Sequence, residues 1–178
     1  MKKKIAIIIL ILILLTLTLT LVNISTYKAY HKNYFYMDTY IDIKVNTTKN
    51  RKEMNKIFED IDYLYKSYHE LTDRYNSYNN VINIYYLNEK LPDNEEVEID
   101  PRLSDIINLG IEYYDKTNGL LNIAAGNLTE VWKEFINTCE KLPSNEELNK
   151  NINIKDINLE NNIYKKQKNI KLDLGAIA

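Results

Sequence analysis

The chain opens with a long apolar stretch that differs from everything after it. Residues 5–22 are almost entirely aliphatic, interrupted by Thr16, Thr18 and Thr20. About 18 such residues are near the lower limit for a helix that crosses a bilayer. Three lysines precede the stretch, and such positive charge stays on the cytoplasmic side. We therefore predict a signal anchor, a single transmembrane helix, over residues 1–22, with the rest of the chain on the extracytoplasmic side of the cell membrane.

A cleaved signal peptide is the alternative, because signal peptides share the lysines and the apolar region. Between Leu21 and Tyr30 there is no clear small-residue cleavage motif and no cysteine for a lipoprotein anchor. The polar and aromatic composition of residues 23–33 predicts a juxtamembrane linker. Residues 34–178 remain for a single folded domain.

The first half of this domain alternates between two periodicities. Polar and apolar side chains alternate over residues 38–45, which is typical of a strand. Apolar residues then recur at three- and four-residue spacing over residues 54–71, which predicts an amphipathic helix. Asn50 and Glu53 have the spacing of a capping box at its start.

Two more helices are predicted further on. Asp100 as N-cap and Pro101 in the first turn begin one helix, and Asn118 with Gly119 ends it. Another is predicted over residues 128–138. Its inward face is predicted to consist of Val131, Trp132, Phe135 and Ile136. Weaker patterns connect the helices: residues 79–88 are of uncertain type, 92–98 an acidic loop, and 143–151 a loop or short helix.

The tail is predicted to form strands. Residues 157–159 and 163–164 flank a turn at 161–162, and residues 170–174 alternate in the manner of a strand. Residues 176–178 would begin a helix, but one turn is too short to be stable, so we expect the C-terminus to be cut. Together these elements predict an α+β fold of mixed helices and antiparallel strands.

Composition and charge exclude several functions. The formal net charge is −2 and no basic stripe is present, which argues against nucleic acid as a partner. Cys139 is the only cysteine, so no intrachain disulfide can form. His31 and His69 are isolated, and the chain contains no P-loop, nucleophile elbow or cysteine–histidine metal cluster.

The strongest chemical signal is a junction where a predicted strand meets a helix start, at residues 173–176 (DLGA). Helix N-termini attract phosphate, and a glycine lets a ligand approach the backbone. The carboxylate of Asp173 could hydrogen-bond a ligand or help to organise a hard cation. Such junctions are common, so this pattern alone does not specify a function.

Residues 36–40, 71–78, 117–132 and 172–178 resemble, in this order, four motifs of the FAD:protein FMN transferases of the ApbE family. Residues 36–40 (YMDTY) are similar to the family's opening M-G-T strand. Residues 71–78, continuing to 87–88, resemble its S-T-Y…S-x-I-S-x-L-N stretch. Residues 117–132 resemble G-G-x-F-D-x-T-x-G-P-L…L-W. The last segment, residues 172–178 (LDLGAIA), is nearly the family's L-D-L-G-G/A-I-A, which continues there as K-G-Y.

This resemblance implies a partial ApbE-like, T-fold-like domain and a transferase that moves FMN from FAD to a serine or threonine of an acceptor flavoprotein, with Mg²⁺ and with release of AMP. A subunit of a membrane redox complex is one candidate acceptor. The resemblance names no catalytic residue. By motif, it implies FAD contacts at Met37, Tyr78 and Asp173, a flavin-lining backbone at Leu120, Leu121 and Asn122, and a Mg²⁺ ligand in the carbonyl oxygen of Ala176.

Departures from the family pattern leave a second interpretation open. Asp38 replaces a glycine, Asn122 an aspartate and Asn127 a proline. The family's lysine after the last motif, its later H-x-I-D-P-like segment and its C-terminal metal ligands have no counterpart here, and one carbonyl cannot hold Mg²⁺. We therefore predict that the chain alone is inactive as a transferase. The alternative functions are a non-catalytic remnant or a membrane-tethered module that binds flavin or another protein, and the gene sequence after Ala178 distinguishes them.

Overall fold

The computed structural model describes residues 2–139, 142–149, 152–167 and 169–177. The chain divides into two compact units, residues 1–64 and residues 65–178. Asn151, at the end of the predicted loop or short helix, and Ala178, at the end of the last motif, lie outside the described residues.

The first unit begins with helix α1, Lys2–Thr26. Within the part of the chain that is described, no helix has both the length and the apolar character needed to cross a membrane. The anchor predicted over residues 1–22 therefore gains no support from the structure. Residues 23–33, predicted as a linker, instead hold the end of α1 and most of a strand that begins at Lys28.

This strand, β1 (Lys28–Tyr36), forms an antiparallel hairpin with β2 (Thr39–Thr47). The sequence predicted only β2, because polar and apolar residues do not alternate along β1. Strand β1 is instead stabilised by pairing with β2 along its whole length. Met37 and Asp38 form the turn, with φ values of 51° and 52°. Two positive φ values define the type I′ turn, where glycine, asparagine and aspartate are favoured. Asp38 is thus tolerated where the family motif has glycine.

Helix α2 (Arg51–Thr72) follows and confirms both the predicted helix and its capping box. The Glu53 amide donates to the Asn50 Oδ1 atom at 3.1 Å, and the Asn50 amide donates to Glu53 Oε2 at 2.9 Å. In the first unit, the Tyr34 hydroxyl donates to the Phe58 carbonyl at 2.8 Å. This buried bond ties the hairpin to the first half of α2.

Helices α3 (Pro101–Lys116), α4 (Gly126–Thr138) and α5 (Asn145–Leu148) lie in the second unit. The predicted start of α3 is confirmed, because Asp100 Oδ1 accepts the Arg102 amide at 2.9 Å. Its predicted end is confirmed too, because Asn118 and Gly119 have φ values of 52° and 84°. Glycine and asparagine end helices in this left-handed conformation at little cost.

A small antiparallel sheet completes the second unit. It contains β3 (Glu96–Glu98), β4 (Asn158–Glu160) and β5 (Ile163–Lys165) in the order β3–β5–β4. The predicted turn between β4 and β5 is confirmed by positive φ values at Asn161 and Asn162. Strand β3 lies in the predicted acidic loop, because its order comes from pairing with the distant β5, which local alternation cannot reveal.

The core of the second unit gathers apolar residues from helices, loops and tail. Its fully buried members include Ile84, Leu87, Leu103, Ile107, Ile123, Tyr164, Leu172 and Leu174. The tail residues Ile170, Leu172 and Leu174 are buried in alternation, as the sequence predicted. Residues 170–174 nevertheless form no strand, because their backbone groups bond to other partners, described below.

The predicted inward face of α4 is wrong in part. Trp132 is 39% exposed and Ile136 is 67% exposed, whereas Val131 and Phe135 are half-buried. The buried residue of this helix is Gly126, at its first position. Helix α4 therefore packs closely at its N-terminal end and exposes apolar side chains further along.

The close approach at Gly126 gives a testable prediction. A Cβ atom there would lie 2.5 Å from the carbonyl oxygen of Lys171. Backbone atoms cannot move aside as a flexible side chain can, so we expect Gly126→Ala to lower the free energy of unfolding by about 1–3 kcal/mol, measured by urea unfolding. Gly175→Ala is the matched control, since its Cβ would meet only Asp173 Oδ1, at 3.2 Å. Equal losses in the two variants would contradict the steric explanation.

Candidate active site

Residues 170–174 run as an extended segment along the core of the second unit. The backbone of Leu172 is hydrogen-bonded to the side chain of Asn88: its amide donates to Asn88 Oδ1 at 2.8 Å, and its carbonyl accepts from Asn88 Nδ2 at 2.9 Å. In a sheet, the backbone of a neighbouring strand would make these two bonds. Asn88 lies in a π-helical turn, Tyr86–Lys90. Lys166 donates to the Asn88 carbonyl at 2.6 Å, and burial lowers the pKa of its ammonium group.

The loop that leads into α4 supplies further partners for this segment. The Asp173 amide donates to the Ile123 carbonyl at 2.8 Å, and the Gly126 amide donates to the Lys171 carbonyl at 3.1 Å. Neighbouring residues of an extended chain point to opposite sides. With Leu172 buried in the core, Lys171 and Asp173 are therefore directed away from it.

The Asp173 carboxylate is fixed at both oxygens. Oδ1 accepts the Gly175 amide at 3.0 Å, and Oδ2 accepts Arg74 Nη1 at 2.5 Å. Burial acts to raise the pKa of Asp173, but hydrogen bonds from Gly175 and Thr129 and the charge and hydrogen bond of Arg74 outweigh it, so the pKa is lowered. Asp173 is therefore a carboxylate at neutral pH, with its side chain still 19% exposed.

A chain of charges extends from Asp173 along α4. Arg74 Nη2 donates to the Gly126 carbonyl at 3.3 Å and to Glu130 Oε1 at 3.2 Å. The other oxygen of Glu130 accepts Lys171 Nζ at 2.9 Å. Lys171 also reaches Glu89 at 2.9 Å, in the π-helical turn. Ion pairs thus join four parts of the second unit: the turn of Arg74, the π-helical turn, α4 and the tail segment.

Sequence reasoning did not single out Arg74 or Glu130. Arg74 lies in residues 71–78, which resemble a family motif, and its partner Asp173 is 99 positions away. No local periodicity connects such distant positions. The one available signal was the charge of Arg74 within a stretch otherwise matched to a family motif.

Tyr78, an implied FAD contact, is engaged through its hydroxyl. It donates to Asp73 Oδ2 at 2.7 Å and lies 3.3 Å from His69 Nε2. Burial, followed by the hydrogen bond and charge of Asp73, raises the pKa of Tyr78 to about 12. Asp73 also accepts the Tyr75 amide at 2.7 Å. The Tyr78 hydroxyl therefore helps to order the turn that positions Arg74.

The implied flavin-lining residues Leu120, Leu121 and Asn122 occupy the loop between α3 and α4. Leu120 is 92% exposed, and the Leu121 amide donates to Thr117 Oγ1 at 3.0 Å. Asn122 Oδ1 accepts the Ala124 amide at 2.9 Å, while Asn122 Nδ2 donates to the Ile152 carbonyl at 2.8 Å. A carboxylate could not make the second bond, because it has no donor. This bond explains structurally why the chain has asparagine at a position where the family motif has aspartate.

The structure brings some implied residues together. Asp173 directly precedes the turn that contains the exposed Ala176, in which the Ile177 amide donates to the Leu174 carbonyl at 2.9 Å. Leu120, Leu121 and Asn122 precede Ile123, which binds the Asp173 backbone. Met37 belongs to the first unit, where it forms the β1–β2 turn.

The implied Mg²⁺ does not fit the described residues as they stand. Across those residues, no three histidine, cysteine, aspartate or glutamate side chains form a group that could hold a metal ion. Both oxygens of Asp173 already accept hydrogen bonds. The Ala176 carbonyl alone is insufficient, since Mg²⁺ requires near-octahedral oxygen coordination.

Comparison with known proteins identifies the lineage of this fold. The model of the ApbE family matches residues 37–178. The chain belongs to the ApbE family. No curated protein matches it.

Solved ApbE structures share the fold of this ApbE-family chain. The ApbE protein of Thermotoga maritima is 24% identical, with a TM-score of 0.63, 84% of this chain covered and 48% of that one. A mutant of the flavin transferase ApbE of Vibrio cholerae is 19% identical, with a TM-score of 0.70 and coverages of 84% and 52%. The apo flavinyl transferase ApbE of Pseudomonas stutzeri is 14% identical, with a TM-score of 0.70 and coverages of 85% and 51%. This chain therefore spans about half the length of these ApbE structures.

The lowered pKa of Asp173 predicts a pH dependence. A carboxylate whose pKa is lower in the folded state stabilises the fold above its unfolded pKa, and this contribution is lost as the pH falls through the folded pKa. We expect acidification below about pH 4 to reduce the free energy of unfolding of the wild type more than that of Asp173→Asn. Urea unfolding from neutral to acidic pH measures both. Asp105→Asn, the same change at an exposed position of α3, should follow the wild type; parallel curves for Asp173→Asn would contradict the prediction.

Proposed function

We propose that this chain serves an FAD:protein FMN transferase, which moves FMN from FAD to a serine or threonine of an acceptor flavoprotein and releases AMP. Membership in the ApbE family supports the proposal. The observation that carries it is the turn at Asp173, where a fixed and partly exposed carboxylate lies beside the exposed backbone of Ala176. A carboxylate held in this way is ready to accept hydrogen bonds from a nucleotide.

The proposed reaction is a phosphoryl transfer. The acceptor hydroxyl oxygen forms a bond to the phosphorus of the FMN half, the pyrophosphate bond breaks, AMP leaves with the bridging oxygen, and the hydroxyl proton is released. In this proposal, Asp173 binds and orients FAD, and Leu120 offers an apolar surface to the flavin. Mg²⁺ is the proposed cofactor because divalent ions neutralise phosphate charge in such reactions, but the described residues do not complete its site.

A module that binds flavin without transferring it is the second candidate. It is favoured because the described residues do not complete the Mg²⁺ site. It is also favoured because the side chains of Asp173 and Asn122 already form hydrogen bonds to the protein backbone. These side chains can position a nucleotide without taking part in bond breaking. The two functions differ in whether FMN becomes covalently attached to another protein.

FAD binding is the first test of the proposed function. We expect the 178-residue chain, purified in detergent, to quench FAD fluorescence on titration. We expect Asp173→Asn to weaken binding about ten-fold or more because a charged hydrogen bond is lost. Asp105→Asn is the control and should bind as the wild type does. Titration with and without Mg²⁺ measures the contribution of the cation.

The outcomes separate the proposals. In-gel flavin fluorescence on an acceptor flavoprotein, together with AMP release, would establish transfer. Binding without transfer would favour the flavin-binding module. Absence of FAD binding by the wild type at millimolar nucleotide would overturn both proposals and favour the non-catalytic remnant.

We further propose that the chain is held at the cell membrane by a single pass over residues 1–22, with the domain of residues 34–178 extracytoplasmic, where a subunit of a membrane redox complex is a suitable acceptor. The sequence supports this through the lysines and apolar residues at positions 2–22. We expect the chain to remain in bacterial membranes after an alkaline carbonate wash and to be digested by protease added to spheroplasts. Recovery in the wash, or protection from protease, would refute the proposed location.

A further inference from the structure

Arg74 is a charged residue buried in the second unit, with only 7% of its side chain exposed. Burial of a charge is costly unless the charge is paired and hydrogen-bonded. Arg74 meets this condition by dividing its two terminal nitrogens between partners: Nη1 donates to Asp173, and Nη2 donates to Gly126 and Glu130. Its planar guanidinium group fixes the directions of these bonds.

The partners of Arg74 show what this arrangement controls. Of the two carboxylates, Glu130 is the more exposed, at 42%, and is also held by Lys171. Asp173 takes Arg74 as its cation, and its carboxylate also accepts the Gly175 amide on Oδ1 and a hydrogen bond from the Thr129 side chain. A carboxylate held by donors from its own segment, from α4 and from Arg74 has little freedom to rotate. A carboxylate has about four acceptor positions, so three donors leave one for a ligand.

Arg74 itself is poorly placed to touch a ligand. Its side chain is covered, whereas that of Asp173 is 19% exposed. The Tyr75 ring covers the guanidinium group from one side, with its centroid 5.4 Å from the Arg74 Cζ atom. Any influence of Arg74 on binding must therefore pass through the group that it holds.

We propose that Arg74 is a positioning residue, which holds the Asp173 carboxylate in the orientation that binds the flavin nucleotide. This inference rests on the proposed function, in which Asp173 hydrogen-bonds FAD. It assigns a role to a residue outside the implied FAD and Mg²⁺ contacts. It also explains why a buried cation lies beneath the turn that carries the exposed carboxylate.

A double-mutant cycle tests whether Arg74 acts through Asp173. In the 178-residue chain, Arg74→Gln should weaken FAD binding about ten-fold in the wild-type background, and less than about two-fold in the Asp173→Asn background. Arg74→Lys keeps the positive charge but loses the planar guanidinium group with its two terminal nitrogens. We expect it to bind FAD more tightly than Arg74→Gln and more weakly than the wild type. An equal loss in both backgrounds would overturn the proposal, because Arg74 would then act independently of Asp173.

Arg102→Gln is the matched control for a general loss of stability. Arg102 also lies in the second unit and pairs with Asp100 at 2.7 Å, on the first turn of α3. We expect this variant to bind FAD as the wild type does. If it weakens FAD binding as much as Arg74→Gln does, the effect is general and the positioning role is refuted.

Hydrogen–deuterium exchange tests positioning without any flavin. Loss of the Arg74 bond should speed exchange of the amides in residues 171–177 about ten-fold, and should leave residues 158–165 of the β4–β5 hairpin unchanged. Unchanged exchange in residues 171–177 would overturn the proposal. This result stands even if the wild type binds no FAD, in which case the proposed function fails and the exchange data alone decide the role of Arg74. Should Arg74→Gln not fold, Arg74→Lys in both backgrounds gives the same comparison.

Discussion

The double hydrogen bond between the Asn88 side chain and the Leu172 backbone is the interaction on which the candidate site depends. Leu172 is fully buried, and its two backbone polar groups must find partners away from water. Asn88 supplies a donor and an acceptor at once, as a neighbouring strand would. The segment is therefore fixed in register with the core without belonging to a sheet.

This register decides which side chains join the charged layer of Arg74, Glu130, Lys171 and Asp173. Because an extended chain alternates, anchoring Leu172 in the core directs Lys171 and Asp173 to the other side. There they meet Glu130 and Arg74 on separate elements. The site inherits the rigidity of the core, since Asp173 cannot move far while Leu172 and Leu174 remain buried on either side of it.

The charged layer is stable only as a whole. Within the described residues, no buried side-chain nitrogen or oxygen lacks a hydrogen-bond partner. Removal of one member from a buried pair leaves the other uncompensated, which typically costs about 3–5 kcal/mol. Glu130 reduces this risk, because it is shared by Arg74 and Lys171. Ion pairs of this kind contribute less to net stability than to a defined geometry.

What the sequence could predict follows the range of the interactions involved. Helices α2 and α3 and the β4–β5 turn were predictable, because their caps and turn residues act within four or five positions. Strand β3 and the Arg74–Asp173 pair were not, because their partners are far along the chain. The alternation of residues 170–174 correctly predicted which side chains are buried. It did not predict that the segment is buried without forming a strand. For the inward face of α4, periodicity located an apolar stripe without showing how much of it other elements cover.

Asparagine holds many of the left-handed positions in this fold. Among the described residues, positive φ values occur at Asn80, Asn94, Asn118, Asn161, Asn162 and Asn169, whereas Gly119 is the glycine with one. The whole chain contains only four glycines. Glycine codons begin with two guanines and asparagine codons with two adenines, so a coding sequence rich in adenine and thymine supplies asparagine more readily. The nucleotide bias of a genome can thus be accommodated at the level of backbone geometry, and because asparagine is less free than glycine in the unfolded chain, these turns lose less entropy when they form.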